Sequence, residues 1–176
     1  MSLTHSMLQE AGIPRRFWKP ADNPFKLYQL PDEWWTHRNE CAPQGKGLVA
    51  VEEAGQAPKL PAVVELLKRL LNDTGRPSTM AGTQAPCQYL EAVELYAGQT
   101  FQISDLQRSA FEVAYLLLAN VGQQYNSRML AVLEYTLRHR YQNGVVTFVH
   151  VAPTEESLDA VMKLLATIPK DSIFTT

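Results

Sequence analysis

The chain has 176 residues, 45% of them hydrophobic and 19% charged, enough apolar matter for one ordinary core and too little length for two. That profile excludes disorder as the main state, because a disordered chain lacks the apolar residues that offset chain entropy. No apolar run approaches the ~20 residues that span a bilayer. Sixteen Lys and Arg against eighteen Asp and Glu leave a net charge of −2, so overall charge does not point to nucleic acid, which is held by clustered positive charge.

Met1-Ser2-Leu3-Thr4-His5 shows no basic region followed by an apolar stretch, so no signal peptide is expected. Cys41 and Cys87 have no metal or redox spacing, and a reduced, cytoplasmic setting is the default. The first 45 residues hold Pro14, Pro20, Pro24, Pro31 and Pro43 together with Trp18, Trp34 and Trp35. Proline at this density works against long helices and ladder strands. Residues 1–45 are therefore expected to form an irregular, aromatic-anchored arm with one short helix near 3–11, and residues 46–176 a separate α/β unit.

From Gly47 the pattern alternates. Gly47-Leu48-Val49-Ala50-Val51 is a buried-strand signal. Pro61 opens a helix whose stripe is Val63, Leu66, Leu67, Leu70 and Leu71. A weak strand is expected at 78–83, a helix from Pro86 to Tyr96 and another near 103–111. Residues 114–121 are apolar without alternation, as in a strand covered on both faces. Asn126 or Ser127 caps a helix over 128–142, ended by Asn143-Gly144. Val145 to Val151 reads as a strand, a helix starts near Pro153, and Ser172 to Thr176 is a candidate last strand. Strands alternating with crossover helices imply a parallel sheet in three α/β layers.

Ligands of such sheets bind at the carboxyl ends of the strands, so the loop Glu52-Glu53-Ala54-Gly55-Gln56-Ala57-Pro58-Lys59-Leu60 is the place for phosphate chemistry. A phosphate loop needs glycines that free backbone N–H groups, a Lys and a Ser or Thr for Mg²⁺. Lys59 sits plausibly, whereas Pro58 removes an N–H, Leu60 replaces the hydroxyl and Glu53 stands at the first glycine. On these grounds an ordinary strand-to-helix loop is the plainer reading.

Order and spacing nevertheless resemble a family. Ala11 to Phe17, the strand 47–51, Gln88-Tyr89-Leu90-Glu91, Leu116-Leu117-Leu118-Ala119-Asn120-Val121-Gly122, Arg128, Leu133, Arg140-Tyr141, Asn143-Gly144 and Thr147 follow one pattern. It is similar to the ATPase domain of bacterial helicase loaders and their transposition relatives, the DnaC, DnaI and IstB types of the AAA+ superfamily. The resemblance implies a P-loop NTPase-type parallel sheet over residues 10–162. It also shows what is missing. Ala119 and Asn120 replace both acidic positions of the Walker B stretch, Ala152 falls at the polar sensor position, the phosphate loop is degenerate, and almost no length follows for the helical lid. Without the acidic pair, Mg²⁺ loses a ligand and the attacking water its polarising carboxylate.

These departures lead to the expectation of a pseudo-ATPase without cofactor, working as an adaptor or regulator in replication, transposition or a related machine. Its partners would be a helicase, an active AAA+ relative or a second copy. Trp18, Trp34 and Trp35 are the candidate contacts, since tryptophan is an interface anchor type, although packing onto their own domain is equally open. Arg15 and Arg16 beside Phe17, and Arg138 with Arg140, are candidate nucleic-acid contacts, against a structural ion-pair role for Arg140. The alternatives are a nucleotide-binding protein with little turnover, holding phosphate through Lys59 and the helix start, and an unrelated small α/β enzyme. His37 with Cys41 makes an incomplete zinc pair, His150 reads as a hydrogen-bonded core or strand-end histidine, and Asp105 with Glu112 as a solvated face.

Overall fold

A computed structural model describes residues 3–20, 28–74, 86–97 and 110–175. Four strands, β1 (Leu48–Val51), β2 (Cys87–Glu91), β3 (Tyr115–Val121) and β4 (Val146–Val151), form one all-parallel sheet in the order β1-β4-β3-β2. The helices are α1 (His5–Glu10), α2 (Leu30–Thr36), α3 (Arg38–Cys41), α4 (Leu60–Thr74), α5 (Ala92–Ala97), α6 (Ser127–Gln142) and α7 (Leu158–Ala166). One face of the sheet is covered by α4 with α1–α3, and the other by α5, α6 and α7. Among the described residues no helix is long and apolar enough to cross a membrane.

The three-layer α/β architecture is the one expected. The stripe of α4 is buried throughout, from Val63 to Leu71. All six residues of β4 are buried, and the Asn126 side chain caps α6 by accepting the Arg128 N–H at 2.9 Å.

Several elements differ from expectation. The segment expected as a helix over 86–96 is a strand to Glu91 and helix only from Ala92. Cys87 and Tyr89 enter the α4-side core while Leu90 enters the opposite one, which is the period of two that defines a strand. The expected start of a helix at Pro153 is delayed to Leu158, because 154–157 form a turn. There the Ser157 hydroxyl donates to the Gly122 carbonyl at 2.7 Å and accepts from the Thr154 N–H at 2.8 Å. The last strand is reduced to one parallel bridge between Gly47 and Ile173. The weak strand at 78–83, and residues 103–109 of the expected helix, lie outside the described residues.

The described parts of the proline-rich segment, 3–20 and 28–45, carry short helices packed on the core rather than an irregular arm. Pro31 stands in the first turn of α2, where its missing N–H costs nothing. Met7, Leu8, Ala11, Ile13, Trp34 and Cys41 join the same core cluster as α4, Leu48 and Phe148. Trp34 is fully buried, edge-on to Phe148 at 4.9 Å and to Tyr115 at 6.4 Å, and donates its indole N–H to the Lys46 carbonyl at 2.8 Å. It therefore has no surface with which to meet a partner. Buried Lys68 of α4 donates to the carbonyls of Phe17 (2.9 Å) and Lys19 (3.3 Å), holding the first segment on the helix. The free edge of β2 is covered as well: its Tyr89 N–H donates to the Ala11 carbonyl at 2.7 Å. Gly12 follows at φ 70°, and a Cβ there would meet the Tyr89 carbonyl oxygen at 2.8 Å.

Arg140 is likewise interior rather than a nucleic-acid contact. Fully buried, it donates from Nε to Thr147 Oγ1 at 2.8 Å and from Nη2 to the Val146 carbonyl at 2.6 Å. Nη1 reaches the carbonyls of Ala110 (2.7 Å), Val113 (2.8 Å) and Phe111 (3.4 Å). Burial lowers its pKa to about 10, which still leaves the guanidinium charged at neutral pH. The carbonyl cage ties the approach to β3 onto α6 and β4.

Trp34→Ala is expected to cost about 3–5 kcal/mol through the cavity it leaves. Arg140→Met is expected to cost about 3 kcal/mol because several buried carbonyls lose their donor. Arg138→Met, on the same helix but exposed, should shift stability by less than about 0.5 kcal/mol. Urea unfolding midpoints of the three variants measure the contrast.

Candidate functional site

The carboxyl ends of the four strands carry one connected polar network. Glu52 follows β1 directly, and its Oε1 accepts the backbone N–H groups of Lys59 (2.7 Å) and Leu60 (3.2 Å), the first residues of α4 and its approach. The same oxygen lies 2.7 Å from His150 Nε2 on β4. His150 Nδ1 accepts the Asn120 N–H at 3.1 Å, and the Asn120 side-chain amide donates to Glu91 Oε2 at the end of β2 at 2.7 Å. Glu91 is also bonded by the Tyr89 hydroxyl, and Arg16 Nη2 lies 3.3 Å from its Oε1. Read across the sheet, Glu52, His150, Asn120 and Glu91 stand in the strand order β1-β4-β3-β2.

Asn120 makes this line possible. It is the non-glycine among the described residues with positive φ, at 58°, a left-handed conformation that asparagine tolerates better than most. The register of β3 against β4 shifts between Leu118 and Val121. This local bulge sends the Asn120 N–H toward β4 and its side chain toward β2.

The tautomer of His150 follows from its neighbours. An N–H donor faces Nδ1, so Nδ1 is the acceptor and Nε2 carries the proton that is given to Glu52. Burial lowers the His150 pKa, against the raising effect of Glu52. Glu52 is pulled upward by its own burial. That pull is outweighed by the hydrogen bonds from His150, Lys59 and Leu60, and its pKa lies below the ordinary carboxylate value. A neutral imidazole donating to an ionised carboxylate satisfies both directions.

Lys59, expected at the phosphate position, points elsewhere. Its ammonium donates to the Val51 carbonyl at 2.7 Å, pairs with Glu53 at 3.4 Å and faces the Tyr28 ring at 5.4 Å. Tyr28 is raised to about 12 by burial and by the Glu52 charge, so it stays a neutral phenol. Ala119 and Asn120 stand at the end of β3 without a carboxylate. Ala152, at the sensor position, contributes only its backbone, the N–H donating to the Val121 carbonyl at 2.9 Å.

The other candidates separate. Arg15, Arg16 and Trp18 lie together in and just after a 3₁₀ turn. Trp18 donates its indole N–H to the Ile13 carbonyl at 2.7 Å and stacks on His5 at 5.0 Å. Arg15 lies over its ring at 5.6 Å, and Arg16 lies over Phe17 at 4.7 Å. Half-buried Trp35 has Arg38 over its ring at 4.3 Å and Arg69 at 5.9 Å. Arg138 is exposed and paired with Glu134 along α6, so it forms no common surface with buried Arg140. His37 Nδ1 lies 2.9 Å from the Glu33 carbonyl, and Cys41 is buried. Burial pushes the Cys87 thiol up to about 12 and raises Cys41, so neither presents a thiolate. Among the described residues no group of three His, Cys, Asp or Glu is placed to hold a metal. Sequence reasoning missed Glu52 as a ligand of the helix start, and Glu91 and Asn120 as a pair. The available signal for Glu52 was a carboxylate directly after a strand and directly before a helix-opening loop.

Both His150 and Glu52 have depressed folded-state pKa values, so in acid the unfolded chain binds protons that the folded chain refuses. Their contribution is complete above the ordinary histidine value of 6.5 and the ordinary carboxylate value of 4.5. It declines as pH falls through these values toward the lower folded ones. Between pH 7 and 5 stability is expected to fall, in part through His150. His150→Gln, which keeps an acceptor and a donor without a titrating ring, should flatten that part of the stability–pH curve measured by urea unfolding.

No protein-family model matches the chain, and no curated protein matches it. Solved structures do. The crystal structure of the DnaC helicase loader superposes with a TM-score of 0.57 at 16% identity, over 90% of this chain and 92% of that one. The crystal structure of DnaI superposes with a TM-score of 0.54 at 14% identity, over 94% of this chain and 88% of that one. Identity this low speaks for the fold alone. With the parallel sheet and its strand order, the chain shares the fold of the DnaC and DnaI structures.

Proposed function

We propose that the chain is a non-catalytic adaptor built on a helicase-loader scaffold, acting through protein contacts in a replication, transposition or related nucleic-acid machine in the cytoplasm. The observation that carries this reading is the end of β3. Where hydrolysis needs an acidic pair to hold Mg²⁺ and polarise water, the chain has Ala119 and Asn120, and the Asn120 amide is already committed to Glu91. The rest of the edge agrees with it. Both nitrogens of His150 are engaged, which leaves no free lone pair for a general base. The Lys59 ammonium is bound to a carbonyl and a carboxylate of its own chain.

Purified protein with ATP and Mg²⁺ is expected to show no turnover above background. Turnover that disappears in Lys59→Ala would overturn the proposal. Saturable micromolar binding of ATP without turnover would favour the second reading, nucleotide binding without hydrolysis.

The DnaC neighbour is named a helicase loader, which makes a replicative helicase the first partner to try, followed by an active AAA+ relative and a second copy. The proposed contact residues are Trp35 between Arg38 and Arg69, Arg15 over Trp18, and Arg16 over Phe17. Deleting residues 1–45 would strip Trp34 and α1 from the core, so point variants are the appropriate test. Trp35→Ala and Arg15→Glu are expected to stay folded by circular dichroism and to lower helicase retention in a pull-down by about tenfold each, the scale of an interface anchor. Unchanged retention in both variants would place the interface elsewhere. Weakened binding of single-stranded DNA in the arginine variant alone would assign that patch to nucleic acid.

A further inference from the structure

We infer that the cleft between the C-terminal ends of α6 and α7 binds a free α-amino acid with an apolar side chain, its carboxylate on Arg138 and its ammonium on Asp171.

The cleft has a volume of about 440 Å³, within the roughly 300–1,000 Å³ of small-molecule sites. It stands apart from the polar network at the carboxyl ends of the strands. Gln142 lines it at the end of α6, shortly before β4 begins. Ser172 lines it too, and its carbonyl accepts the Gly47 N–H at 3.1 Å at the entry to β1. The cleft therefore opens at the amino ends of the strands. Its floor is apolar: Leu137 and Ile168 are buried, the Tyr141 ring is half-buried, and Pro169 joins them. Burial holds the Tyr141 phenol neutral, so it adds a ring and no charge.

Two groups of opposite charge line this cleft from different elements without pairing with each other. Arg138 projects from α6 with its side chain 63% exposed, and it is paired with Glu134 one turn earlier. An exposed pair of that kind is weak, so the guanidinium can turn to a ligand. Asp171 lies in the 3₁₀ turn Lys170–Ser172 that follows α7, and it has no hydrogen bond or ion pair among the described residues. Lys163 and Lys170 are exposed and do not line the cleft.

The charges select the occupant. A purely apolar molecule would take water from both groups and replace it with nothing. A simple anion would answer Arg138 and meet Asp171 as a like charge, and a simple cation would do the reverse. A zwitterion answers both through charge-assisted hydrogen bonds. An α-amino acid carries its two charges on one end, and an apolar side chain then covers Leu137, Tyr141 and Ile168.

The experiment titrates the isotope-labelled full chain with three probes and follows its amide NMR shifts. The probes are L-phenylalanine, N-acetyl-phenylalanine, which lacks the ammonium, and phenylalanine amide, which lacks the carboxylate. Phenylalanine is expected to shift amides of residues 137–142 and 167–172 saturably, with a Kd on the order of 1 mM, the range of a ligand this small. Each blocked form is expected to bind about tenfold more weakly. Asp171→Asn should weaken phenylalanine and phenylalanine amide by about tenfold and leave N-acetyl-phenylalanine unchanged. Arg138→Met should weaken phenylalanine and N-acetyl-phenylalanine and leave the amide unchanged. Both side chains are exposed, so neither substitution threatens the fold. The inference is overturned if no saturable shifts arise in the cleft, if the three probes bind equally, or if both variants bind phenylalanine as wild type does. It is independent of the adaptor reading, which the ATP and pull-down measurements test separately.

Discussion

Everything at the working edge of this sheet depends on where one carboxylate sits. Glu52 follows the last residue of β1 and faces the start of α4, so strand and crossover helix are joined by a charge as well as by chain. A half-buried carboxylate alone would lose much of its hydration. Three N–H donors replace that hydration, and they come from two different elements. Once Glu52 is fixed, the proton of His150 is assigned to Nε2, and Nδ1 becomes available to the Asn120 N–H. The bulge at Asn120 then aims its amide at Glu91. Each group satisfies the next, and fully satisfied buried networks favour a single arrangement of their members.

The opposite faces of the sheet obey a different constraint. A parallel sheet needs cover on both sides, and α4 alone is too narrow to cover four strands. The segment before β1 supplies the remainder: Met7, Leu8, Ile13 and Trp34 pack beside α4, while Lys68 grips the carbonyls of Phe17 and Lys19. On the other face, the Arg140 guanidinium serves as a multiple donor for carbonyls that enter β3 and β4. The entry to β1 is equally confined, since a Cβ on Gly47 would lie 1.7 Å from the Thr147 carbonyl oxygen.

Much of the fold was legible in the chain because β1, β3 and β4 are continuous apolar runs and α4 and α6 carry helical apolar stripes. β2 was not, because Tyr89, Leu90 and Val93 also fit a helical stripe and only the two-sided burial of Cys87, Tyr89 and Leu90 settles it. Side-chain fate was less legible than backbone. Arg138 and Arg140 differ little by composition, but two positions along a helix are about 200° apart, so one is exposed and the other is at the centre of a carbonyl cage. Trp34 and Trp35 are adjacent and only about 100° apart, which leaves one fully buried and the other half-buried. The network itself links residues 52, 91, 120 and 150, which no local window contains. Only the parallel register brings them to one edge.

Catalytic edges hold groups that are poorly satisfied until substrate arrives, such as a lysine awaiting phosphate, carboxylates awaiting a cation and N–H groups awaiting an oxyanion. Such readiness costs stability. Here the corresponding positions are satisfied from within: Lys59 by Val51 and Glu53, the helix start by Glu52, and the β3 terminus by Glu91 and His150. An edge completed in this manner behaves as additional core, and its polar groups have little left to offer a ligand. On the proposed adaptor reading, recognition uses side chains that the fold leaves incompletely covered. Trp35 between two arginines lies outside the closed network, and the Arg15–Trp18 turn touches it only where Arg16 meets Glu91.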